Sequence, residues 1–472
     1  MGRFDYDLIV IGGGAAGLVS AKLARGLGKR VALVERGRLG GECTLYGCVP
    51  SKTLISAART AALIRNAPKH GLDIEGSRGI KTDNVMTRVR SVVEEVYRGH
   101  TPEAIERLGI TLLFGEPAFK DNHHIQIGDK TWSSKNFLIA TGSSSSIPKI
   151  RGIDSAPFFT NETIFGIERL PSSMIIIGGG PVGSEIASAF NSLGVGIDLV
   201  HKHVRILNKE DPELVDILSS KMRDEGIRLR TSCKPVAITR EGGGIALEME
   251  DGTNSATLRA EAVLIAAGRR PNIARLGLEN AGVQYTPRGI TTDLRLRTSA
   301  PNIYACGDVV GPYLFSHMAE YQATVAVRNA FLPFQKTADY ENAAWCTFTD
   351  PELARAGLTE EEARDRYGER VRVYRQAYGG TDRGKTDAAD VGMSKFICYR
   401  GRLVGAHILG AHAGELIHEA QIAKSLGIPF HRLYEVIHIY PTFTDVVKYP
   451  AKLCYIDRLK DNPFLKVLQK FL

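Results

Sequence analysis

A glycine-rich turn that occurs twice constrains the fold of this chain more than any other feature of its sequence. Residues 5–35 are predicted to form an apolar strand, the turn GGGAAG, a helix and a second strand, RVALVE. Residues 172–200 repeat this order around the turn GGGPVG. A strand followed by G-x-G-x-x-G and a helix is typical of a parallel βαβ unit that binds a dinucleotide. Two such units predict an α/β protein with two doubly wound domains and two bound dinucleotides.

Each glycine of the G-x-G-x-x-G motif in the first turn has a predicted role. Gly12 permits the tight turn, Gly14 lets a pyrophosphate approach the backbone, and Gly17 allows close packing of the helix on the strand. The N-terminus of the helix supplies free N–H groups and positive potential for the phosphates. Glu35 ends the second strand, where an acid binds the ribose hydroxyls. These four residues predict the first dinucleotide site.

The second turn has the same glycines but ends its second strand differently. The glycines are Gly178, Gly180 and Gly183. In place of an acid, the strand is followed by a basic cluster that consists of His201, Lys202, His203 and Arg205. Cations would bind the extra 2′-phosphate of NADPH, which an acid would repel. We therefore predict NADPH rather than NADH; the alternative is a solvated basic loop that accepts either nucleotide.

Length and composition are those of a multidomain protein without a membrane span. The 472 residues fit roughly three domains of ~100–200 residues. The net charge is +8, but Lys and Arg are scattered, so nucleic-acid binding is not predicted. No apolar run reaches the ~20 residues that a membrane span needs. The N-terminal segment lacks the basic region and cleavage site of a signal peptide, which makes the cytoplasm the expected location.

Two of the seven cysteines, Cys43 and Cys48, lie close together in the segment GGECTLYGCVPSK. No Cys/His group has zinc spacing, so no metal site is predicted. A close pair in a reducing compartment indicates thiol chemistry. A regular helix does not readily bridge this spacing with a disulfide, but Gly47 and Pro50 would permit a local distortion. Two unrelated buried cysteines are the alternative that the residues alone leave open.

Taken together, these motifs resemble the class I pyridine nucleotide–disulfide oxidoreductases, the family of dihydrolipoamide dehydrogenase, glutathione reductase and mercuric reductase. The resemblance covers essentially the whole chain, in order. Besides both turns it includes C-x4-C-V-P-S-K, ATGS at 140–143, AAGRRPN at 266–272, TSAPNIYACGD at 298–308 and FTDPELARAGLTEEEA at 348–363. It implies FAD as one dinucleotide and NADPH or NADH as the other. It also implies a homodimer in which the C-terminal domain of one subunit completes the active site of its partner.

The resemblance implies a domain order and roles for single residues. The expected order is an FAD-binding domain (1–150), an NAD(P)-binding domain (151–271), a second FAD-binding part (272–338) and an α+β dimerisation domain (339–472). Cys43 resembles the thiol that meets the substrate, and Cys48 the thiol beside the flavin. Lys52 and Glu185 resemble an ion pair near the flavin, and Asp308 the acid that binds its ribityl chain. Further expected cofactor contacts are Gly41, Thr141, Gly142, Gly268 and His317.

One motif departs from the family. The usual H-x-H-P-T-x-x-E, whose second His is the acid–base catalyst, is here His438-Ile439-Tyr440-Pro441-Thr442-Phe443-Thr444-Asp445. Tyr440 replaces the base, and Asp445 replaces the glutamate that orients it. Histidine titrates ~3.5 pKa units below tyrosine, which corresponds to roughly 4–5 kcal/mol against deprotonation of Tyr440. Ordinary dihydrolipoamide chemistry is therefore not expected.

Three accounts of this departure follow from the residues. His438 relays protons, although a structural role for this histidine is the favoured reading. The acceptor needs no base, as with a soft metal ion or a quinone. Tyr440 donates a hydrogen bond to a different disulfide substrate. Mercuric reductases also lack the histidine, but they carry a C-terminal cysteine pair, whereas this sequence ends DNPFLKVLQKFL.

The leading prediction is an FAD-dependent NAD(P)H oxidoreductase that passes electrons through a Cys43–Cys48 disulfide to a small disulfide, a soft metal ion or a related acceptor. Two alternatives remain: a dihydrolipoamide dehydrogenase that uses NAD+, and a binding or regulatory flavoprotein with an impaired disulfide cycle. The tail after Pro463 is predicted to carry an apolar helical face. We expect it to pack within the dimer rather than to contact a membrane surface.

Overall fold

The computed structural model describes residues 4–73, 79–252 and 254–462. Its first part contains strands β1 (Tyr6–Ile11), β2 (Val31–Glu35), β3 (Thr111–Phe114), β4 (Pro117–Phe119), β5 (His124–Ile127), β6 (Lys130–Ile139) and β7 (Ser143–Ser145). The helices of this part are α1 (Ala15–Gly26), α2 (Gly41–Leu45), α3 (Cys48–Asn66), α4 (Val85–Tyr97) and α5 (Pro102–Glu106).

The central part contains the second βαβ unit. Its strands are β8 (Ser173–Ile177), β9 (Gly196–Val200), β10 (Arg228–Arg230), β11 (Cys233–Glu241), β12 (Gly244–Asp251), β13 (Asn254–Ala260), β14 (Ala262–Ile265) and β15 (Arg269–Pro271). Its helices are α6 (Asn161–Ile164), α7 (Pro181–Ser192) and α8 (Pro212–Asp224). The chain continues through β16 (Tyr285–Thr286), β17 (Gly289–Ile290), β18 (Ile303–Ala305) and α9 (Ser316–Phe331).

The C-terminal part forms an α+β layer. Its strands are β19 (Ala344–Thr347), β20 (Glu352–Gly357), β21 (Val371–Ala377), β22 (Met393–Tyr399) and β23 (Arg402–Gly410), in an antiparallel sheet of order β19-β20-β23-β22-β21. Its helices are α10 (Glu360–Tyr367), α11 (Asp382–Thr386), α12 (Ala413–Ser425), α13 (Arg432–Glu435) and α14 (Asp445–Asp461).

The two dinucleotide-binding units each contain a parallel sheet. In the first, β3, β2, β1, β6 and β18 run parallel, and β5 and β4 extend this sheet antiparallel. In the second, β10, β9, β8 and β14 are all parallel. The central strands are apolar along their length, as in residues 8–11, because both faces of a parallel sheet are covered. This arrangement confirms the predicted α/β class.

The path of the chain explains how the two units are joined. β7 leaves the first sheet and pairs antiparallel with β15, so that the chain enters and leaves the second unit through a two-stranded connection. β18 then returns to the first sheet, next to β6. α1 and α9 pack together on one face of that sheet through small residues such as Ala21 and Ala323. The domain boundaries given above stay predictions.

No helix among residues 4–73, 79–252 and 254–462 is long and apolar enough to cross a membrane. The predicted apolar face of the tail concerns Phe464, Leu465, Val467, Leu468, Phe471 and Leu472, which lie outside the described residues.

Candidate active site

The carboxyl ends of the parallel strands place most predicted cofactor residues around one cavity of about 3400 Å³. The predicted residues that line it are Gly12, Gly14, Glu35, Gly41, Cys43, Cys48, Lys52, Thr141, Gly142, Gly178, Gly180, Glu185, His201, Lys202, Gly268, Asp308 and His317. Six other predicted residues lie elsewhere in the described chain, namely Gly17, Gly183, Arg205, His438, Tyr440 and Asp445. The two glycine turns and the cysteine pair therefore share one cavity.

The first turn has the backbone geometry that a pyrophosphate needs. Gly12 has φ of +107°, and a Cβ atom there would lie 2.4 Å from the Ala140 carbonyl oxygen. A Cβ atom at Gly17 would lie 1.7 Å from the carbonyl oxygen of Gly12, so the helix packs as closely as predicted. The N–H of Gly13 donates to Glu35 Oε2 at 2.7 Å. The glycines thus hold α1 with its N-terminus at the cavity, which fits a bound dinucleotide.

The second turn repeats this geometry. Gly178 has φ of +121°, and a Cβ atom at Gly183 would lie 1.8 Å from its carbonyl oxygen. A Cβ atom at Gly180 would meet no atom within 4 Å, which leaves the space in front of α7 open to a phosphate. The backbone of both turns therefore fits the two dinucleotides that the sequence predicts.

The predicted basic cluster after β9 needs a correction. His201 is buried, and burial lowers its pKa to about 4, so it is uncharged at neutral pH. Arg205 forms an ion pair with Asp216, at 2.7 Å between Nε and Oδ1, and does not line the cavity. Lys202 and His203 are exposed and line the cavity. The cluster that faces the nucleotide site therefore contains Lys202 and His203, not four cations.

The cysteine pair lies where two helices meet at Gly47. α2 ends at Leu45 and α3 begins at Cys48, which confirms a local break in the helix between the two thiols. Cys43 and Cys48 are half-buried free thiols in this structure. A hydrogen bond from Cys43, helped by Ser316 and by the charge of Lys52, lowers the pKa of Cys48 to about 6. The same contact raises the pKa of Cys43. Cys48 is thus the thiolate of the pair at neutral pH.

Ser316 contacts this thiolate directly, and this contact was not predicted. Its Oγ lies 3.3 Å from Cys48 Sγ. We expect Ser316→Ala to raise the pKa of Cys48 by about one unit, because a hydrogen bond to a charged group is worth about 1.5 kcal/mol. The measurement is the pH dependence of alkylation of Cys48 in the reduced protein, with the modified site identified by mass spectrometry.

Ser51→Ala is the matched control for this variant, because Ser51 Oγ donates to the backbone carbonyl of Cys48 at 3.3 Å and not to its sulfur. An unchanged alkylation midpoint in Ser316→Ala, or an equal shift in both variants, would contradict a direct effect of Ser316 on the thiolate.

The predicted ion pair beside the thiols is formed. Lys52 Nζ lies 2.8 Å from Glu185 Oε2, which joins α3 to α7. Glu185 is buried, and its other oxygen accepts a hydrogen bond from the N–H of Phe348 at 2.9 Å. The centre of the Phe348 ring lies 4.5 Å from Lys52 Nζ. The ion pair is thus held from both dinucleotide-binding units and from the segment after β19. His317, at the start of α9, contacts the carbonyl oxygen of Ala344 through Nε2 at 2.8 Å.

A half-buried network around Asp308 was not predicted. Arg269 donates to both carboxylate oxygens of Glu42, the residue before Cys43. Its Nε also lies 3.4 Å from Asp308 Oδ2. The hydroxyl of Ser143 donates to the same oxygen of Asp308 at 2.6 Å. Burial raises the pKa of Glu42 despite its arginine partner. The network connects the predicted ribityl-binding acid to α2, the helix that carries Cys43.

The C-terminal motif is arranged differently from the prediction. The hydroxyl of Tyr440 donates to Asp382 Oδ2 at 2.8 Å, and this hydrogen bond raises the pKa of Tyr440. Asp445 is buried, and its carboxylate oxygens accept no hydrogen bond from Tyr440. Asp382, and not Asp445, is therefore the partner of Tyr440. His438 contacts Glu419 Oε1 at 2.8 Å and the carbonyl of Val436 at 2.9 Å, which fits the structural reading of this histidine.

Comparison with known families covers nearly all of the chain. Residues 6–330 match the pyridine nucleotide-disulphide oxidoreductase family, and residues 343–451 match the dimerisation domain of that family. The chain is 31% identical to a mercuric reductase of Bacillus cereus over 450 residues. This alignment covers 95% of this chain and 71% of the relative. The chain is also 32% identical to a dihydrolipoyl dehydrogenase of Thermus scotoductus over 455 residues. That alignment covers 93% of this chain and 95% of the relative.

Solved structures lead to the same group. The HOCl-induced flavoprotein disulfide reductase RclA from Escherichia coli superimposes with a TM-score of 0.85 at 26% identity, over 95% of this chain and 100% of that one. A Cu(II) complex of the same protein gives a TM-score of 0.84, over 96% of this chain and 100% of that one.

Proposed function

This chain belongs to the pyridine nucleotide-disulphide oxidoreductase family, and from that membership we propose that it uses NADPH to reduce a small disulfide or a soft metal ion through Cys43 and Cys48. Its relatives are flavoprotein disulfide oxidoreductases, which use FAD and NAD(P)H. FAD, when bound, accepts a hydride and supplies electrons to the disulfide. The observation that carries the proposal is the low-pKa thiol of Cys48 beside Lys52 and Glu185, in the cavity that both glycine turns share.

We assign different tasks to the two thiols. Cys48, stabilised as a thiolate by Cys43 and Ser316, stays on the cofactor side. Cys43, which retains its proton in the reduced pair, attacks or binds the acceptor after that proton leaves. For a disulfide, the reaction balances as NADPH, one proton and the disulfide giving NADP+ and two thiols. Each turnover opens the Cys43–Cys48 disulfide and closes it again.

The acceptor class follows from the residue that replaces the histidine base. Because the hydrogen bond to Asp382 raises the pKa of Tyr440, the phenol keeps its proton at neutral pH and does not serve as a base for a substrate thiol. NADPH supplies two electrons, which reduce one Hg(II) ion to the metal or two Cu(II) ions to Cu(I), and neither reduction consumes a proton, so neither depends on a base at this position. The likeness to mercuric reductases and to a protein with a solved Cu(II) complex supports a soft metal ion as acceptor.

The likeness to dihydrolipoyl dehydrogenases keeps a second candidate, oxidation of a dihydrolipoyl group by NAD+. That reaction removes protons from a dithiol, which is the step that a neutral tyrosine supports poorly. A binding or regulatory flavoprotein with an impaired disulfide cycle is the third candidate. It differs from the other two because no acceptor would then support the consumption of NADPH.

We expect NADPH oxidation by the purified flavoprotein to be rapid with Hg(II), Cu(II) or a small disulfide, and we expect dihydrolipoamide to reduce NAD+ slowly. Tyr440→His should raise the dihydrolipoamide rate by roughly 10²-fold, the low end of general acid–base contributions, while the metal-dependent rate stays the same. Steady-state absorbance assays with NADPH and NADH provide the measurement. His438→Gln serves as the control, because His438 is already paired with Glu419.

A dihydrolipoamide rate typical of the dehydrogenases in the unmodified protein would show that Tyr440 does not limit the reaction. Failure of every disulfide, quinone and metal ion to consume NADPH would favour the regulatory flavoprotein.

We further propose that the protein is a homodimer in the cytoplasm. The matched dimerisation domain spans residues 343–451. Within it, the segment that carries Tyr440 exposes large apolar side chains, including Ile437 at 98% and Ile439 at 79% exposure. Burial of these side chains against a second copy would remove an apolar surface that is costly in water. A reducing compartment also suits the free thiols.

A further inference from the structure

A second pair of cysteines lies outside the cavity lining, between helix α14 and the C-terminal sheet. Cys398 belongs to β22 and Cys454 to α14, and both are buried, with exposed fractions of 2% and 4%. Both are free thiols in this structure, and they are hydrogen-bonded to each other. Two thiols in contact need only small side-chain movements to form a disulfide.

Contacts on both sides of this pair hold α14 on the sheet. Ser394 of β22 donates to the carbonyl oxygen of Val446, near the start of α14, at 2.5 Å. Tyr374 of β21 donates to Asp457, near the end of α14, at 3.2 Å. Cys454 lies between these two points. The fold itself therefore keeps the two sulfur atoms together.

The two thiols divide their protons as the pair at the active site does. The hydrogen bond from Cys398, with help from the hydroxyl of Tyr374 and the backbone of His431, lowers the pKa of Cys454 to about 7 although burial opposes it. Burial raises the pKa of Cys398, which keeps its proton. The equally buried thiol of Cys233 has, by contrast, a pKa that burial raises. Since the thiolate is the reactive form, Cys454 is the thiol that meets an oxidant first.

We propose that Cys398 and Cys454 are a second oxidisable pair, which a small peroxide converts into a disulfide that joins α14 to β22. The thiolate of Cys454 attacks hydrogen peroxide and breaks its O–O bond, which gives a sulfenic acid and a hydroxide that takes up a proton. The sulfur of Cys398 then displaces the sulfenic oxygen as water. Two thiols and one peroxide thus give one disulfide and two water molecules.

The new bond would act on the domain that carries Tyr440. The loop that it closes contains residues 438–445 and the start of α14. A cross-link over a long loop stabilises a protein, in the chain-entropy account, by restricting the unfolded chain. The disulfide therefore stabilises the C-terminal domain under oxidising conditions.

Mass spectrometry of the reduced flavoprotein after treatment with hydrogen peroxide tests this pair. With free thiols alkylated before digestion, trypsin places the two cysteines in separate peptides, FICYR and LCYIDR. We expect these peptides to be joined after oxidation and separate after dithiothreitol. Cys233 should stay a free thiol in the same sample, because it is as buried as Cys454 but its pKa is raised.

Calorimetry measures the effect of the disulfide on stability. Oxidation should raise the apparent melting temperature by about 5 °C more in the unmodified protein than in Cys398→Ala, in which the active-site pair still closes. Cys233→Ala is the matched control and should keep the full gain. Separate peptides at peroxide concentrations that oxidise Cys43 and Cys48 completely, or linkage found only after unfolding in urea, would overturn the proposal. An equal gain in Cys398→Ala would overturn the stabilising role. Neither measurement uses NADPH or an acceptor, so a negative result leaves the proposed function untouched.

Discussion

Replacement of either Cys43 or Cys48 by serine is expected to lower NADPH-dependent reduction of a disulfide by at least roughly 10³-fold. The reaction needs both sulfurs, because one thiol must attack the acceptor and the other must close the disulfide that releases it. The two positions are not equivalent in this structure. Cys48 carries the lowered pKa and contacts Ser316, whereas Cys43 keeps its proton and supplies the hydrogen bond. The two variants should therefore fail in different ways.

In Cys43→Ser the new hydroxyl can still donate to Cys48, so alkylation of Cys48 should keep a midpoint near pH 6. In Cys48→Ser the remaining thiol of Cys43 no longer donates a hydrogen bond to a neighbouring sulfur. The pKa of Cys43 should therefore fall toward that of an ordinary cysteine. Turnover assays combined with mass-spectrometric alkylation separate these effects. Cys346→Ser is the control, because Cys346 lines the same cavity outside the pair. Normal disulfide turnover in either variant of the pair would refute a redox role.

The parts of the site that the sequence predicts are those built from local geometry. Gly12, Gly17 and Glu35 lie within one βαβ unit, and the order of strand, turn and helix almost determines their positions. The break between Cys43 and Cys48 is likewise a property of one short segment with Gly47 in it. Short-range patterns of this kind carry the dinucleotide sites and the thiol pair.

The residues that the sequence did not predict are tertiary partners. Glu42 and Arg269 are 227 positions apart, and Tyr440 and Asp382 are 58 apart, so no local pattern connects them. The charge of His201 was also predicted wrongly, because burial decides its protonation and the sequence alone does not reveal burial at a strand end. A sequence signal for Glu42 did exist, because a carboxylate directly before a redox cysteine would need a cationic partner. That this partner is Arg269 becomes clear only in the fold.

A cluster of charges around the buried Lys395 holds the second dinucleotide-binding unit against the C-terminal sheet. Lys395 of β22 is nearly inaccessible, with 4% of its side chain exposed. Its Nζ lies 2.9 Å from Asp211, 2.8 Å from Glu213 and 2.9 Å from Glu360. Asp211 also caps α8, which follows the nucleotide-binding strand β9. Lys395 thus contacts three carboxylates where two parts of the chain meet, and Arg375 also pairs with Glu213 and Glu360.

Lys395→Met is therefore expected to destabilise the protein by about 3–5 kcal/mol, because Asp211, with 1% of its side chain exposed, stays buried after its cation is removed. The apparent melting temperature should fall on the order of 10 °C at neutral pH, as measured by calorimetry. Lys385→Met is the matched control, since Lys385 is 64% exposed and lies 3.9 Å from Asp382, and such surface pairs contribute about 0–1 kcal/mol. An equal change in melting temperature in both variants would mean that the ion pairs of Lys395 add nothing to stability.

The pH dependence of this loss distinguishes charge from packing. Burial acts to raise the pKa of Glu360, but the hydrogen bonds from Lys395 and Arg364 and the charges of Lys395 and Arg375 together outweigh it and lower the pKa to about 2. A carboxylate with a lowered pKa stabilises the fold above its unfolded pKa of ~4.5, and this contribution is lost as the pH falls toward 2. The difference in melting temperature between the unmodified protein and Lys395→Met should therefore narrow over that range. If the difference stayed constant as the carboxylates became protonated, lost packing of the lysine stem would explain the destabilisation, and the three ion pairs would not.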